Sequence, residues 1–294
     1  MKDFLQSMRR SKADMYDKGK VNFEELNPSL DFNSVWIDGG NSEIFGSPGY
    51  SLQLLKIAAT IWEKDKKKED VVHTLFAFAE ETKLKIDGDY GHDVADLINE
   101  TVEGLETPQQ AVELLRRCLE LKISGELKEK YPENIVCIDG SLIVPTKAER
   151  YLLKDGVIGV VKSSSQSEKG RSLNLMLERL APYDSWVVRD MVVSKTLLHD
   201  ASIHFAKLHS KAKTIVRLEG KDVPVDNIAA LSKDPVFFGY PYPLIKADEL
   251  ARVSNEERDF QKTKALVLAK ELGLDLEKED LVKGSHGVLD SVKF

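Results

Sequence analysis

Apolar residues and short polar turns alternate along the first third of the chain, and this pattern predicts β-strands. Each strand signal is a run rich in Val, Ile or Leu that is bounded by turn-forming residues such as Gly, Asn, Ser and Asp. Three successive runs predict an antiparallel meander: SVWIDGG, SLQLLKIAATIWE and VVHTLFAFAE. The charged stretch KDKKKED, between the second and third runs, is interpreted as a solvated hairpin tip.

The spacing of apolar positions becomes helical after the meander. Residues 91–104 and 107–130 are predicted to be helices, and Thr107 followed by Pro108 is a typical helix start. The run ENIVCIDGSLIV then predicts another strand. The helical crossover would place this strand beside the first one. Because such crossovers join parallel strands, we expect an α/β fold with a mixed sheet, in which an antiparallel meander and parallel strands are flanked by helices.

Shorter patterns predict the remaining elements. Further strands or extended segments are predicted at GVIGVVKSS, SWVVRDMVVS, KAKTIVRLEG and DPVFFGYPYPL. Further helices are predicted at residues 2–18, SLNLMLERLAP and NEERDFQKTKALVLAKELGL. Since no linker divides the chain, we expect a single domain at 1–294, with its core at about 30–255, an N-terminal helical region at 1–30 and a C-terminal helical region at 254–294.

Composition narrows the class of protein. With 294 residues, 42% of them hydrophobic, the chain is long enough to bury a sizeable core. Its net charge is −7, whereas many nucleic-acid-binding domains are strongly basic. Any DNA contact must therefore come from a local basic groove or from bound metal ions. Two cysteines without a CxxC motif argue against a disulfide framework or a zinc ribbon. The sequence lacks a signal-peptide pattern and a membrane-spanning apolar run, so we expect a cytoplasmic protein.

Two of the predicted strands end in the same three residues, Ile-Asp-Gly. Asp38 follows the first apolar run, and Asp139 follows the run after the crossover. Neighbouring strands lie about 4.8 Å apart, and ligand sites in open α/β sheets lie at the carboxyl ends of strands, so we expect the two carboxylates to converge. An Asp-Gly turn explains either motif alone. The pair favours a shared site, because two carboxylates so close together repel unless a cation such as Mg²⁺ or Mn²⁺ separates them.

A third carboxylate is expected from the crossover helix, which carries Glu113, Glu120 and Glu126 as candidates. Glu113 and Glu120 are seven residues apart and share a helix face. Glu120 also borders the apolar seam of the helix, where an unpaired carboxylate is costly. A glutamate at the edge of an amphipathic helix is common, however, so the choice among the three stays open at this point.

Four longer motifs occur in order along the chain: WIDGGNSEIFGSPGYSLQLLKIAATI, LLRRCLELKI with NIVCIDGSLI, VIGVVKSS, and FFGYPYPLIKADELARVS. Together they resemble the NurA family of prokaryotic DNA-repair nucleases over about residues 30–255. The resemblance implies an RNase H-like core, a homodimer, and Mn²⁺-dependent 5′→3′ exonuclease and single-strand endonuclease activity. It also implies action with a HerA-type hexameric translocase in DNA-end resection and double-strand break repair.

The resemblance also implies roles for individual residues. The implied metal ligands are Asp38, Glu120, Asp139 and Asp248. Further catalytic roles are implied for Lys162, at the end of the VVKSS strand, and for Tyr242, in GYPYPLIKAD. Such carboxylates would hold two Mn²⁺ or Mg²⁺ ions that activate water, and Lys162 would neutralise charge on the scissile phosphate. The tyrosines of GYPYPL, at 240 and 242, could stack on unpaired bases or simply pack in the core.

Three histidines and a group of basic residues, at 195–217, are candidates for a zinc site and for phosphate contacts. His199, His204 and His209 are spaced by five residues, which does not bring them to one helix face, so a zinc site is not favoured. The same region holds the best local candidates for phosphate contacts, although it could equally be a solvated face: Lys195, Lys207, Lys211, Lys213 and Arg217.

Two other functions remain possible on the sequence. DGGNS and DGS resemble the phosphate loops of actin-like and sugar-kinase ATPases, which would make the chain an ATP-binding phosphotransferase. An RNase H-like subunit of a DNA translocase without catalytic activity is the third hypothesis. The presence of both Asp38 and Asp139 argues against an inactive subunit.

Overall fold

The computed structural model describes residues 21–143, 146–162, 167–168, 171–193 and 202–273. The helix predicted at 2–18 and the chain beyond residue 273 lie outside these ranges. The strands are β1 (Phe23–Glu25), β2 (Asn33–Gly46), β3 (Tyr50–Glu63), β4 (Lys66–Glu80), β5 (Lys83–Asp87), β6 (Ile135–Asp139), β7 (Val157–Val161), β8 (Ser167–Glu168), β9 (Arg171–Ser172), β10 (Trp186–Val193), β11 (Ser202–Lys207) and β12 (Val216–Gly220). The helices are α1 (His92–Thr101), α2 (Pro108–Lys130), α3 (Lys147–Leu152), α4 (Leu173–Leu180), α5 (Val225–Ala230), α6 (Tyr242–Ala251) and α7 (Asn255–Glu271).

Ten of these strands form one sheet in the order β1-β10-β11-β12-β7-β6-β2-β3-β4-β5. The strands β2, β3 and β4 form an antiparallel meander, and β6 lies parallel to β2 on its other side. The helix α2 lies in the crossover between them, and β7 extends the parallel part of the sheet. The predicted mixed sheet, with its helical crossover, is therefore confirmed.

The meander strands are longer than their sequence signals. Strand β2 does not stop at Asp38 but continues through DGGNS to Gly46, and the turn occupies only the next three residues. The turn-forming residues after Asp38 were expected to end the first strand, and this expectation is wrong, because they lie within β2. A phosphate loop requires the backbone to turn around an anion, so a continuous strand at DGGNS disfavours the ATPase hypothesis.

The segment DPVFFGYPYPL was predicted to be extended, and this prediction is wrong, because residues 235–240 form bends and tight turns that lead into a helix. Helix α6 begins at Tyr242, directly after Pro241, with Pro243 in its first turn. Proline is well tolerated there because the first helical N–H groups have no intrahelical partner. Seven short elements were not predicted, because each has six residues or fewer and too few apolar positions to define a period: β1, β5, β8, β9, β11, α3 and α5.

Helices cover both faces of the central sheet. Side chains of β2 alternate between the two layers: Val35 and Ile37 pack with α2, and Trp36 packs with α6. The side of α6 lies so close to β2 that a β-carbon at Gly40 would overlap the carbonyl oxygen of Ala251. These contacts fix α2 and α6 on opposite sides of the strand that carries Asp38. In the described ranges, no helix is both long and apolar enough to cross a membrane.

Candidate active site

Asp38 and Asp139 lie side by side on the parallel strands β2 and β6. Ile37 is paired with Ile138, so the two aspartates occupy the next position on each strand. Asp38 is 8% exposed, and the side chain of Asp139 is 14% exposed. The backbone N–H of Gly39 donates a hydrogen bond to Asp38 Oδ1 at 2.8 Å. The convergence expected from the two Ile-Asp-Gly motifs is present in the structure.

The electrostatics of this pair are unfavourable without a cation. Burial, followed by the negative charges of Asp139 and Glu120, raises the pKa of Asp38 to about 8. The Gly39 N–H and the Lys162 ammonium oppose this shift without cancelling it. In the absence of a cation at the pair, the ionised form of Asp38 is therefore disfavoured, first by burial and then by the neighbouring carboxylates.

Glu120 is the glutamate of the crossover helix that reaches the aspartates. It is 1% exposed, and its Oε1 would be 2.5 Å from a β-carbon placed on Gly39. Glu113 and Glu126 are exposed, and Glu126 accepts a hydrogen bond from the Tyr90 hydroxyl at 3.0 Å. Among the three candidates, the structure brings Glu120 to the pocket.

Two consecutive arginines hold Glu120 and connect it to both aspartate strands. Arg116 pairs with Glu120 Oε1 and donates to the carbonyl oxygen of Gly39 at 3.1 Å. Arg117 pairs with Glu120 Oε2 at 2.8 Å, and it donates to the carbonyl oxygens of Asp139, at 3.3 Å, and Ser141. Each arginine thus binds the glutamate and the backbone next to one aspartate. This role was not predicted from the sequence, although LLRRCLEL places both arginines within one helical turn of Glu120.

Lys162 lies at the open side of the pocket. It follows β7, its side chain is 51% exposed, and its ammonium pairs with Asp139 Oδ2. Burial lowers the pKa of Lys162, but the hydrogen bond and charge of Asp139, with the charges of Asp38 and Asp248, raise it above its usual value. Lys162 is therefore a protonated amine that faces both the carboxylates and solvent.

Tyr240, rather than Tyr242, is the tyrosine beside the carboxylates. The Lys162 ammonium lies 5.1 Å from the Tyr240 ring centre, and burial and the charges of Asp139 and Asp38 raise the pKa of the Tyr240 phenol. Its hydroxyl is buried and makes no hydrogen bond of normal geometry to any described residue. The ring of Tyr242 instead packs edge-on against Trp62, with ring centres 5.9 Å apart.

Asp248 lies at the edge of the pocket. Its charge acts on Lys162 and Tyr240, while its own carboxylate pairs with Arg252 at 2.6 Å. Asp248 is on α6, so it approaches the site from the opposite side of the sheet edge to Glu120 on α2.

Glu219 is a buried carboxylate that the sequence analysis did not single out. It is 0% exposed, pairs with Arg217 at 2.7 Å, and accepts hydrogen bonds from the Ser141 hydroxyl and the Leu142 N–H, the latter at 2.6 Å. It thereby fixes the loop that follows Asp139. The signal for it was an acidic residue directly before glycine at the end of an apolar run, in IVRLEG, which is the same pattern that marks the two aspartates.

Of the three histidines, the two that the structure describes, His204 and His209, do not form a shared site. His204 is buried in β11 and accepts a hydrogen bond from the Asp190 N–H at 3.2 Å, whereas His209 stacks on Phe238 with ring centres 4.5 Å apart. His199 and Lys195 lie outside the described residues.

The pocket offers carboxylate oxygens, which are the ligands that hard divalent cations prefer. In the described part of the chain, no three Asp, Glu, His or Cys side chains are grouped to hold one ion. The ion pairs account for this, since the arginines engage Glu120 and Lys162 engages Asp139. Asp38 and Asp139 still fit a hard divalent cation, because Mg²⁺ commonly binds one or two carboxylates and completes its shell with water and phosphate oxygens.

The fold and the pocket together define a class of protein. The strand order in this part of the sheet is β4-β3-β2-β6-β7, and carboxylates lie on the neighbouring strands β2 and β6 and on the crossover helix. This arrangement is that of an RNase H-like protein. The sequence model of the NurA domain matches residues 32–253. The chain therefore belongs to the NurA family, which confirms the resemblance found in its motifs. A search of curated protein sequences finds no significant match.

Solved structures of NurA nucleases have the same fold as this chain. The NurA nuclease from Sulfolobus solfataricus has a TM-score of 0.59 and 15% identity, over 93% of this chain and 95% of that chain. A NurA bound to dAMP and manganese has a TM-score of 0.55 and 10% identity, over 91% of this chain and 94% of that chain. At these identities the likeness demonstrates a common fold.

Proposed function

We propose that this protein is a DNA nuclease that depends on a divalent metal ion and hydrolyses phosphodiester bonds at the Asp38–Asp139 pocket. The observation that carries the proposal is the buried aspartate pair, whose mutual repulsion helps to raise the pKa of Asp38 to about 8. Two adjacent buried carboxylates that disfavour each other's ionisation, next to an exposed lysine, form a site suited to a cation and a phosphate. Membership of the NurA family supports a nuclease.

The metal ions in this proposal are two Mn²⁺ or Mg²⁺ ions. The NurA bound to dAMP and manganese supports a divalent cation of this kind. Asp38 and Asp139 would hold the ions. Glu120 and Asp248, the further ligands that the family resemblance implies, would join them by exchanging their arginine partners for an ion. When bound, such ions activate water and stabilise the leaving oxygen of a phosphodiester.

The protein's own groups would orient the phosphate and balance its charge. The Lys162 ammonium is half exposed and pairs with Asp139, so it can move from the carboxylate to a phosphate oxygen without losing a partner. The buried Tyr240 hydroxyl faces Asp139, which allows it to orient either that carboxylate or a phosphate oxygen. In this scheme Tyr240 takes the role that the sequence analysis gave to Tyr242. The arginines fix Glu120 relative to both aspartate strands.

The finer parts of the proposal come from the family resemblance. They are 5′→3′ exonuclease and single-strand endonuclease activity, a homodimer, and work in the cytoplasm with a HerA-type hexameric translocase during DNA-end resection. Co-purification with such a translocase, and sedimentation of the isolated protein, test the two assemblies. A monomer that never associates with the motor would contradict this part and leave the nuclease proposal standing.

The nuclease proposal is tested by cleavage of end-labelled single-stranded and duplex DNA with Mn²⁺, Mg²⁺ or EDTA, in the presence and absence of ATP. We expect cleavage with Mn²⁺ or Mg²⁺ without ATP, and none with EDTA. Labelling both ends of the DNA reports the polarity. Absence of cleavage under every condition would favour the inactive subunit, and a requirement for ATP would favour the phosphotransferase.

A further inference from the structure

The loop between α5 and α6 exposes an apolar surface next to the pocket. Pro235, Val236 and Phe237 are consecutive and exposed, with Val236 at 78% and Phe237 at 49%. Isolated apolar residues on a surface are ordinary, but three in sequence are disfavoured unless they bind something. This loop is therefore a candidate binding surface.

The loop is held in one conformation by its own hydrogen bonds. The Asp234 carboxylate accepts from the N–H groups of Val236, at 2.9 Å, and Phe237, at 3.2 Å. Gly239 has a φ of +84°, donates to the carbonyl oxygen of Ser232 at 3.0 Å, and packs against Ala212 so closely that a β-carbon would overlap it. The exposed Phe237 ring is consequently presented on an ordered backbone, which lowers the entropic cost of binding to it.

Positive charge lies beside the loop. The Lys211 ammonium is 5.3 Å from the ring centre of Phe238, which stacks on His209. Burial, and then the charges of Lys211 and Lys233, lower the pKa of His209, so both ammonium groups lie near that ring. Asp234 is the acidic group of the loop, and its carboxylate is engaged by backbone N–H groups. Aromatic groups with lysines around them match a single-stranded nucleic acid, which offers base faces and phosphates together.

The loop is continuous with the pocket. The Tyr240 N–H donates to the carbonyl oxygen of Phe237 at 3.0 Å, so the two residues belong to one tight turn. At the other end of that turn, the Tyr240 ring lies under Lys162 and beside the aspartates. A strand whose phosphate lies at Lys162 would therefore have its neighbouring bases near Phe237.

We propose that residues 235–240, with Lys211 and Lys233, form a subsite for single-stranded DNA, in which Phe237 stacks on an unpaired base and the lysines bind backbone phosphates. This inference rests on the proposed nuclease function and specifies its substrate. Duplex DNA would have to be unpaired before its bases could reach Phe237.

The test is fluorescence anisotropy in EDTA, which prevents cleavage, with a labelled oligodeoxythymidylate and an oligomer of the same length made of abasic sites. We expect Phe237→Ala to weaken binding of the oligodeoxythymidylate by about 5- to 100-fold and to leave abasic binding unchanged. Phe237→Trp should restore binding. Lys211→Gln and Lys233→Gln should weaken binding of both oligomers alike and reduce its salt dependence.

Phe260→Ala is the matched control, because Phe260 is also an exposed phenylalanine, at 66%, but lies on α7, where the neighbouring Lys262 lies over Phe45. Equal affinities for Phe237→Ala, Phe260→Ala and the wild type, or no measurable binding by the wild type, would overturn the subsite. An altered oligomeric state of Phe237→Ala with unchanged DNA affinity would also overturn it and identify a protein contact. Since binding is measured without metal, loss of the subsite and loss of nuclease function are separate outcomes.

Discussion

Glu120 and Gly39 lie in such close contact across the α2–β2 interface that a β-carbon on Gly39 would be 2.5 Å from Glu120 Oε1. The added methyl group of Gly39→Ala would also lie 3.0 Å from Ile57 and 3.1 Å from Arg116, so the glutamate would have to move. We expect at least tenfold lower cleavage, with a stability loss of about 1–3 kcal/mol. Cleavage rates and thermal unfolding measure the two effects.

Gly40→Ala is the comparison for that variant. Its β-carbon would meet the backbone of α6 at Ala251 instead of a flexible side chain. We expect Gly40→Ala to destabilise the protein more than Gly39→Ala does, because backbone cannot yield as a side chain can. Full activity in Gly39→Ala would show that the position of Glu120 is not critical.

Arg117→Gln should uncouple Glu120 from the strand that carries Asp139. The change removes the ion pair with Glu120 and the hydrogen bonds to the carbonyl oxygens of Asp139 and Ser141. We expect a loss of about 1–3 kcal/mol in unfolding free energy. In a double-mutant cycle, Glu120→Gln should recover part of this loss, with a coupling of about 0.5–3 kcal/mol. Additive effects in urea unfolding would contradict a coupled pair.

Glu219→Gln should loosen the loop that follows Asp139. The substitution leaves Arg217, whose side chain is 11% exposed, without its anionic partner. Removing one partner of a buried pair typically costs about 3–5 kcal/mol. Glu178→Gln, which breaks the more exposed pair with Lys207, should cost about 1 kcal/mol or less. Similar midpoints of urea unfolding for the two variants would show that the Glu219 network does not stabilise the fold.

The raised pKa of Asp38 predicts how the stability of the metal-free protein depends on pH. Since the folded-state pKa of about 8 exceeds the usual value of 3.8, the folded protein binds the proton more tightly than the unfolded chain. Its stabilising contribution is thus complete below about pH 4 and is lost as the pH rises through about 8. Asp38→Asn should remove this dependence and raise the unfolding free energy at pH 8 by about 2 kcal/mol or more. Thermal unfolding in EDTA from pH 5 to 9 tests this, and identical profiles for both proteins would contradict it.

The aspartate pair could be predicted from the sequence because apolar runs mark the strands and a helical crossover makes two strands parallel neighbours. Asp38 and Asp139 each end an apolar run, and the crossover between them implies parallel neighbours. The choice of Glu120 required the structure, since helical periodicity alone does not tell which border glutamate points at the sheet. Tyr240 and Tyr242 could not be separated by pattern, because the start of α6 depends on packing against β2. The Arg217–Glu219 pair was missed for the same reason, as its partner Ser141 is 78 residues away in sequence.

The most direct test of the account compares wild type, Asp38→Asn and Asp139→Asn in cleavage of end-labelled single-stranded DNA with Mn²⁺, alongside Mn²⁺ binding measured by calorimetry. Circular dichroism and sedimentation should be unchanged, because both substitutions preserve side-chain shape. We predict that each substitution abolishes cleavage and weakens Mn²⁺ binding at least tenfold. Wild-type cleavage and Mn²⁺ affinity in either variant would contradict the assignment of this pocket as the metal-dependent nuclease site.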